Sequence, residues 1–419
     1  MSAIPQPAPA KESTPGLKRF WESGPAGWNR TLTRPQVLVP FFLVAAAVPY
    51  VLQYVEDNSS WIGAQYWTLI LTTCAMYACL AVALNLVVGY AGLLNLGFIA
   101  FFGIGSYAYA LVASDQIHQH YPLWGALLVV IIVTLAFALL VGVPALRLRG
   151  DYLAIVTLGF GLIMRDLILD LDRPPVLAGH QFGPDTLNLT GGTNGIHLVA
   201  PFNLPNRLPL IGDVPHYRLY YWIFLGFLGL LIYCMLRWRS TRTGRAWVAI
   251  REDELAARAM GVNTFKYRLL AFSVSAVMAG IVGMINAAQI FNAFPSPNFD
   301  VQTTVVVFIM VILGGLGSIP GAILGAVAFT VPPFLLQQFV FIKYLIISVV
   351  LIAVMIYRPE GLLGTVSIRP RKMMGGTLEL ITAEAAVEAS ELPAVTDTEA
   401  ADLEETAGAI VEDPEWKPS

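Results

Sequence analysis

Few residue clusters in this 419-residue chain have the types and spacing that chemistry needs. His118 and His120 could share a metal ion, but no cysteine or third histidine accompanies them at ligand spacing. They are expected to be solvated loop residues. The stretch Gly314–Gly321 has the glycines of a phosphate-binding loop without its lysine, and no Gly-Lys pair occurs anywhere. A tight turn between two apolar segments is the plainer expectation. Cys74, Cys79 and Cys234 each lie in an apolar run and cannot build a disulfide framework. No nucleophile–base constellation is apparent. Neither catalytic nor metal-ligating residues are therefore expected, which counts against an enzyme.

Charged and polar residues inside apolar runs are the remaining candidates. Arg165, Asp166 and Asp170 cluster near the end of one run, either as a snorkelling group with a local ion pair or as an outer gate. Asp151 stands at the start of that run, where a carboxylate offsets the positive end of a helix dipole or contacts an inner gate. Asn85, Asn95, Thr157, Asn286 and Gln289 are polar groups in or beside apolar runs. They are candidates for a translocation path or for interhelical hydrogen bonds.

The elements that must position these residues follow from composition. Hydrophobic residues make up 56%, charged residues 13%, and the mean hydropathy is +0.66; soluble domains carry about 25% charged residues. Ten apolar runs are long enough to be read as membrane helices: 36–55, 67–88, 93–113, 123–146, 152–171, 219–236, 269–290, 301–316, 320–337 and 343–357. The third is interrupted by glycines and either spans or re-enters. The fold class expected is an all-α polytopic membrane protein with about ten transmembrane helices. Lysines and arginines then fall 20 to 4 in favour of one side, which places both termini in the cytoplasm.

The expected divisions are an N-terminal arm over 1–34, a membrane domain over 35–364 and a disordered acidic tail over 365–419. Residues 1–374 carry 24 basic against 16 acidic side chains, and residues 375–419 carry 1 against 12. Trp21 and Trp28 lie among basic residues in the arm, which suits a segment on an anionic leaflet or a disordered leader. No secretory signal peptide is expected, because the first apolar run begins only near residue 36. The segment 172–218 reads as a long outer loop and 237–268 as a charged inner one. Within the inner segment, Val248, Leu255, Ala259 and Val262 have helical spacing, and Glu254 and Arg258 form an i,i+4 pair. A short amphipathic helix over 245–261, stopped at Gly261, is expected; it is a solvated linker or a docking helix for a soluble partner.

Six ordered blocks carry a resemblance over about residues 65–364. They are Asn85–Gly97, Arg147–Phe160, Leu189–Ile196, Gly244–Gly261, Leu313–Gly321 and Arg358–Gly364. Together they resemble the branched-chain amino-acid ABC importer permeases of the LivM type, a family that includes urea and short-amide importers. The resemblance implies the ABC importer permease fold and a multi-pass subunit of the bacterial inner membrane. It implies partnership with a second, LivH-type permease, two ABC ATPase subunits, a periplasmic substrate-binding protein and membrane lipid, with no nucleic acid. No cofactor is expected on this chain; ATP and magnesium are used by the ATPases.

The same resemblance makes the inner segment an ATPase-coupling loop, comprising Gly244, Arg245, Trp247, Ile250, Arg251, Glu252, Asp253, Glu254, Leu255, Ala256, Ala257, Arg258 and Gly261. The general importer pattern Glu-Ala-Ala-x-x-x-Gly is matched at Ala256, Ala257 and Gly261, whereas Leu255 takes its acidic position and Glu254 lies one residue earlier. The cargo expected is branched-chain amino acids. Urea or a short amide is the alternative, and an ATP-independent channel or secondary carrier a more distant one.

Overall fold

Long apolar runs fold as helices because backbone polar groups removed from water must be satisfied within their own segment. The computed structural model describes residues 35–58, 63–114, 123–148, 150–171, 176–177, 180–181, 190–197, 199–202, 207–208, 212–213, 215–295, 300–336, 348–349, 352, 356 and 361–363. The arm, the acidic tail, His118, His120, Arg149, much of 172–218 and most of the tenth run lie outside the described residues. The chain divides into Met1–Thr365 and Val366–Ser419, and all described residues belong to the first unit.

The described helices are α1 (Pro35–Asn58), α2 (Ala64–Asn85), α3 (Phe98–Ala113), α4 (Leu123–Ala145), α5 (Asp151–Asp170), α6 (His216–Arg239), α7 (Arg242–Glu252), α8 (Glu254–Ala259), α9 (Thr264–Ile290), α10 (Val301–Gly314) and α11 (Ile319–Leu335). A π-helical turn, Leu86–Tyr90, prolongs α2. Five segments are long and apolar enough to cross a membrane: Gln65–Tyr90, Leu123–Ala145, Asp151–Asp170, His216–Arg239 and Thr264–Ile290. Shorter apolar helices occupy the first, third, eighth and ninth expected runs.

The two central helices are α2 and α9. α9 packs most extensively on α3 and then on α4, while α2 packs on α11 and α6, and α10 packs on α11. Most of α2 and α9 is enclosed by protein, whereas about a third of α4 and of α5 is. The crossing of α3 and α9 depends on missing side chains. A Cβ at Gly105 would collide with the Gly280 backbone, and one at Gly283 would collide with the Phe102 carbonyl. Close backbone approach of this kind is how membrane helices gain dispersion contacts where lipid supplies no hydrophobic drive.

Two expected boundaries shift for physical reasons. The third helix begins at Phe98, and the preceding residues 91–97 are irregular. Its 16 residues span about 24 Å. The irregular stretch is held by protein partners: the amide of Leu93 donates to the Val87 carbonyl (3.0 Å), and the amide of Leu96 donates to Thr157 Oγ1 (3.1 Å). The sixth helix starts at His216, so Arg218 is a buried helical residue rather than part of an outer loop. Its guanidinium donates to Gln53 Oε1 of α1 at 2.8 Å, and Tyr221 and Trp222 donate to the carbonyls of Ala45 and Ala46. These bonds attach α1 to the bundle.

The end of the bundle remote from α7 and α8 is covered by residues 190–197 and 199–202. Thr190 Oγ1 donates to the Ile168 carbonyl (2.7 Å), and the amides of Val199 and Ala200 donate to the carbonyls of Phe291 and Ala113. Short strands β1 (Ile196–His197) and β2 (Asn292–Ala293) pair antiparallel there, with Ile196 opposite Ala293.

Gly105→Ala is expected to destabilise the bundle by roughly 1–3 kcal/mol, the usual cost of overpacking. A thermal-unfolding scan of the purified chain checks this, and an unchanged transition would contradict the α3–α9 crossing.

Candidate functional site

Most of the candidate residues with specific partners gather where α7, α8, the π turn and the Gly-rich turn meet. The inner segment is two helices rather than one, broken at Asp253. That residue is extended, and its carboxylate accepts from the amides of Leu255 and Ala256 at 2.8 and 3.0 Å. An aspartate offers the backbone this alternative to continued helix, so it ends α7 and caps α8. The helical face expected from Val248 through Val262 is therefore not continuous, although Val248 and Leu255 are both exposed. Gly261, at φ +81°, follows α8 in the left-handed region that suits a helix stop.

The inward side of this pair is anchored at three points. Trp247 is buried; its indole N–H donates to the Tyr267 carbonyl at 2.8 Å, and its ring lies edge-on to Trp238. Arg251 donates to the Gly89 carbonyl in the π turn. Glu254 accepts from Arg258 at 2.6 Å and from Arg268 of α9 at 2.7 Å, while Arg258 Nε also donates to Thr264 Oγ1. The i,i+4 pair expected from the sequence thus forms, and Arg268 adds a tertiary partner that spacing along one helix does not reveal. Ala246, Ile250 and Ala257 are buried beside these anchors.

The outward side is different in character. Leu255 is 68% exposed, Met260 84% and Val248 38%, with Arg245, Glu252, Ala256 and Ala259 also exposed. Apolar residues presented on short polar helices, while Trp247, Arg251 and Glu254 are committed inward, make a surface suited to a protein partner.

Behind Arg251, Asn85 makes the key junction. Its Oδ1 accepts from the amide of Gly317 at 2.8 Å, and its Nδ2 donates to the Ser318 carbonyl at 3.1 Å. The π turn brings Gly89 so close to Gly317 that a Cβ at residue 89 would strike the Gly317 amide. The amides of Leu362 and Leu363 donate to the carbonyls of Leu313 and Gly314, satisfying the end of α10. Four sequence blocks that are far apart in the chain therefore converge here. The Gly-rich stretch is the tight turn expected, and it serves as a receptor for an asparagine side chain.

The other path candidates have partners of their own, away from the Gly-rich turn. Asn95 is buried and accepts from the amide of Gly97 (3.1 Å), so it shapes the irregular segment, and Thr157 holds that segment through Leu96. Asn286 donates to Met76 Sδ at 3.1 Å between α9 and α2. The backbone carbonyl of Gln289 bonds His216 Nε2 at 3.1 Å, and the His216 ring stacks on Phe291. Asp151 is exposed in the first turn of α5.

Arg165 pairs with Asp300, which immediately precedes α10, at 3.3 Å. Asp166 and Asp170 are exposed. Asp300 was not among the residues expected from sequence; a lone carboxylate just before an apolar run was its only signal.

The branched-chain amino acid transport system / permease component family matches residues 66–356. The chain is 36% identical over 354 residues to the high-affinity branched-chain amino acid transport system permease protein LivM of Salmonella typhimurium, covering 81% of this chain and 77% of the relative. It is 33% identical over 360 residues to LivM of Escherichia coli K12, with the same coverage of each. The LivH permease protein of the same Salmonella system is 29% identical over 186 residues, 42% of this chain and 58% of that protein. No solved structure matches the chain.

Asn85→Ala removes both bonds to the Gly-rich turn and leaves a buried amide unpaired, at an expected cost of about 1–3 kcal/mol. Hydrogen exchange of the peptide containing Gly317 is expected to speed up. Unchanged protection would show that the turn holds itself.

Proposed function

The chain belongs to the branched-chain amino acid transport permease family, and from that premise we infer that it is a membrane subunit of an ATP-driven importer for branched-chain amino acids. Its partners in this reading are a LivH-type permease, two ATPase subunits and a periplasmic binding protein, assembled in a bacterial inner membrane. ATP and magnesium act on the ATPases, and this chain is not an enzyme. The cargo reading is supported by what the similar LivM proteins are named for.

The observation that carries the coupling reading is the two-sided construction of α7 and α8. Their outward side offers Val248, Leu255 and Met260, while their inward side is bonded to α9 and to the π turn of α2. In this reading an ATPase groove takes the outward side. Its closure moves α7 and α8 together with α9, because Glu254 of α8 takes the Arg268 guanidinium of α9 and Arg258 of α8 donates to Thr264 of α9. Arg251 carries the displacement to Gly89, and Asn85 passes it to the turn between α10 and α11. The chain has no energy source in this scheme; the partner must bind the two conformations with different free energies.

The path itself is mostly apolar. Asn286 is engaged with Met76, so selectivity is assigned to the binding protein. Arg165 and Asp300 link α5 to the start of α10 at the end remote from the ATPases, where breaking one ion pair would let the two helices part.

Two measurements test this reading. The complex reconstituted in vesicles is expected to accumulate labelled leucine only with ATP; urea uptake instead would change the cargo, and ATP-independent leucine flux would remove the coupling. The double substitution Leu255→Asp and Met260→Asp leaves every inward bond intact. It is expected to reduce ATP-driven uptake at least roughly tenfold, the loss of about 1.4 kcal/mol of interface energy, with the bundle's thermal stability unchanged. Wild-type uptake in that variant would refute the docking surface.

A further inference from the structure

The coupling reading uses the outward side of α7 and α8 and leaves unexplained the cleft behind α8. This cleft, of about 250 Å³, lies between the end of α4, α8 and the start of α9, and is lined by Arg147, Glu254, Arg258, Thr264, Phe265 and Arg268. Three guanidinium groups face one carboxylate. Both Glu254 oxygens are already taken by Arg258 and Arg268, and the Arg147 guanidinium has no hydrogen bond or ion pair among the described residues. The Nε of Arg268 is fully buried and also has no acceptor among them. Unpaired donors and excess positive charge in a partly enclosed space favour an anion with several oxygens, the chemistry of phosphate.

The surroundings are apolar on one side. Leu139 and Leu140 are exposed on the last two turns of α4, which ends at Ala145, two residues before Arg147. Phe265 is exposed at the mouth of the cleft. We propose that this cleft binds the phosphate headgroup of an anionic membrane lipid, with the acyl chains lying along the Leu139–Leu140 side of α4. The inference rests on the reading of the bundle as membrane-spanning with this end at headgroup level. A lipid held here bridges α4 to α8 and α9 through Arg147, Arg258 and Arg268, and so stiffens the mounting of the coupling helices.

The test uses the full chain, purified in detergent and exchanged into nanodiscs of phosphatidylcholine with or without phosphatidylglycerol. Retained lipid is identified by native mass spectrometry, and affinity is measured with fluorescent phosphatidylglycerol. R147Q breaks no described contact and is expected to fold normally by circular dichroism. It is expected to weaken phosphatidylglycerol binding roughly tenfold, the share of one charge-assisted hydrogen bond. Wild-type chain is expected to retain phosphatidylglycerol in preference to phosphatidylcholine, and inorganic phosphate at equal concentration to compete poorly. Equal affinity in R147Q overturns the proposal, as does equal competition by inorganic phosphate. Binding is read on this chain alone, so its failure leaves the transport reading standing, and absent leucine uptake by the complex leaves the lipid site standing.

Discussion

Every interruption of a helix in this bundle must be repaired by another part of the protein, because lipid offers the freed backbone groups nothing. The junction at Asn85 is the clearest case. The turn between α10 and α11 leaves backbone groups at Gly317 and Ser318, and one asparagine side chain satisfies both with a donor and an acceptor. The end of α10 is completed by amides from Leu362 and Leu363, and the irregular residues before α3 are completed by Asn95 and Thr157. Structure at this end is thus a set of mutual repairs, and moving one member strains the others.

That interdependence gives the coupling scheme its physical content. A rigid helix would pass a push along its axis, whereas a set of breaks held by side chains can change arrangement at a few points. Arg251 touches the π turn, the π turn presses Gly89 against Gly317, and Asn85 grips the same turn. π-helical turns recur at functional positions because the extra residue in the turn strains the ladder and re-aims the chain. The opposite end is built differently. There residues 190–197 and 199–202 bond to the ends of α3, α5 and α9, and the Arg165–Asp300 pair makes a charged contact between α5 and the start of α10.

Some of this was legible in advance. The segment around Asn85 and Gly89, the Gly-rich stretch and the charged inner loop each stand out by composition, and the Glu254–Arg258 pair follows from helical spacing. The break at Asp253 was also readable in principle, since an aspartate before Glu-Leu-Ala-Ala is a capping signal, but an uninterrupted apolar spacing hid it. Asp300 as the partner of Arg165 was not readable, because the two are separated by 135 residues and meet only when α5 and α10 pack. The same holds for Arg268 and Glu254.

The sequence by itself determined the helical membrane class, the positions of most apolar helices and the identity of the loop that carries the charge, because hydropathy and helical periodicity are local properties of the chain. Only the tertiary structure decided which polar residues are fasteners. Asn85, a path candidate by sequence, bonds to a turn more than 230 residues later, and Arg251 and Glu254, in the loop that the sequence marks for coupling, bond to the π turn and to α9. A hydrogen bond depends on where two groups lie in space, and sequence position constrains that only within a turn or two of one helix. In the proposed coupling the outward role falls to Leu255 and Met260, which the packing leaves uncovered.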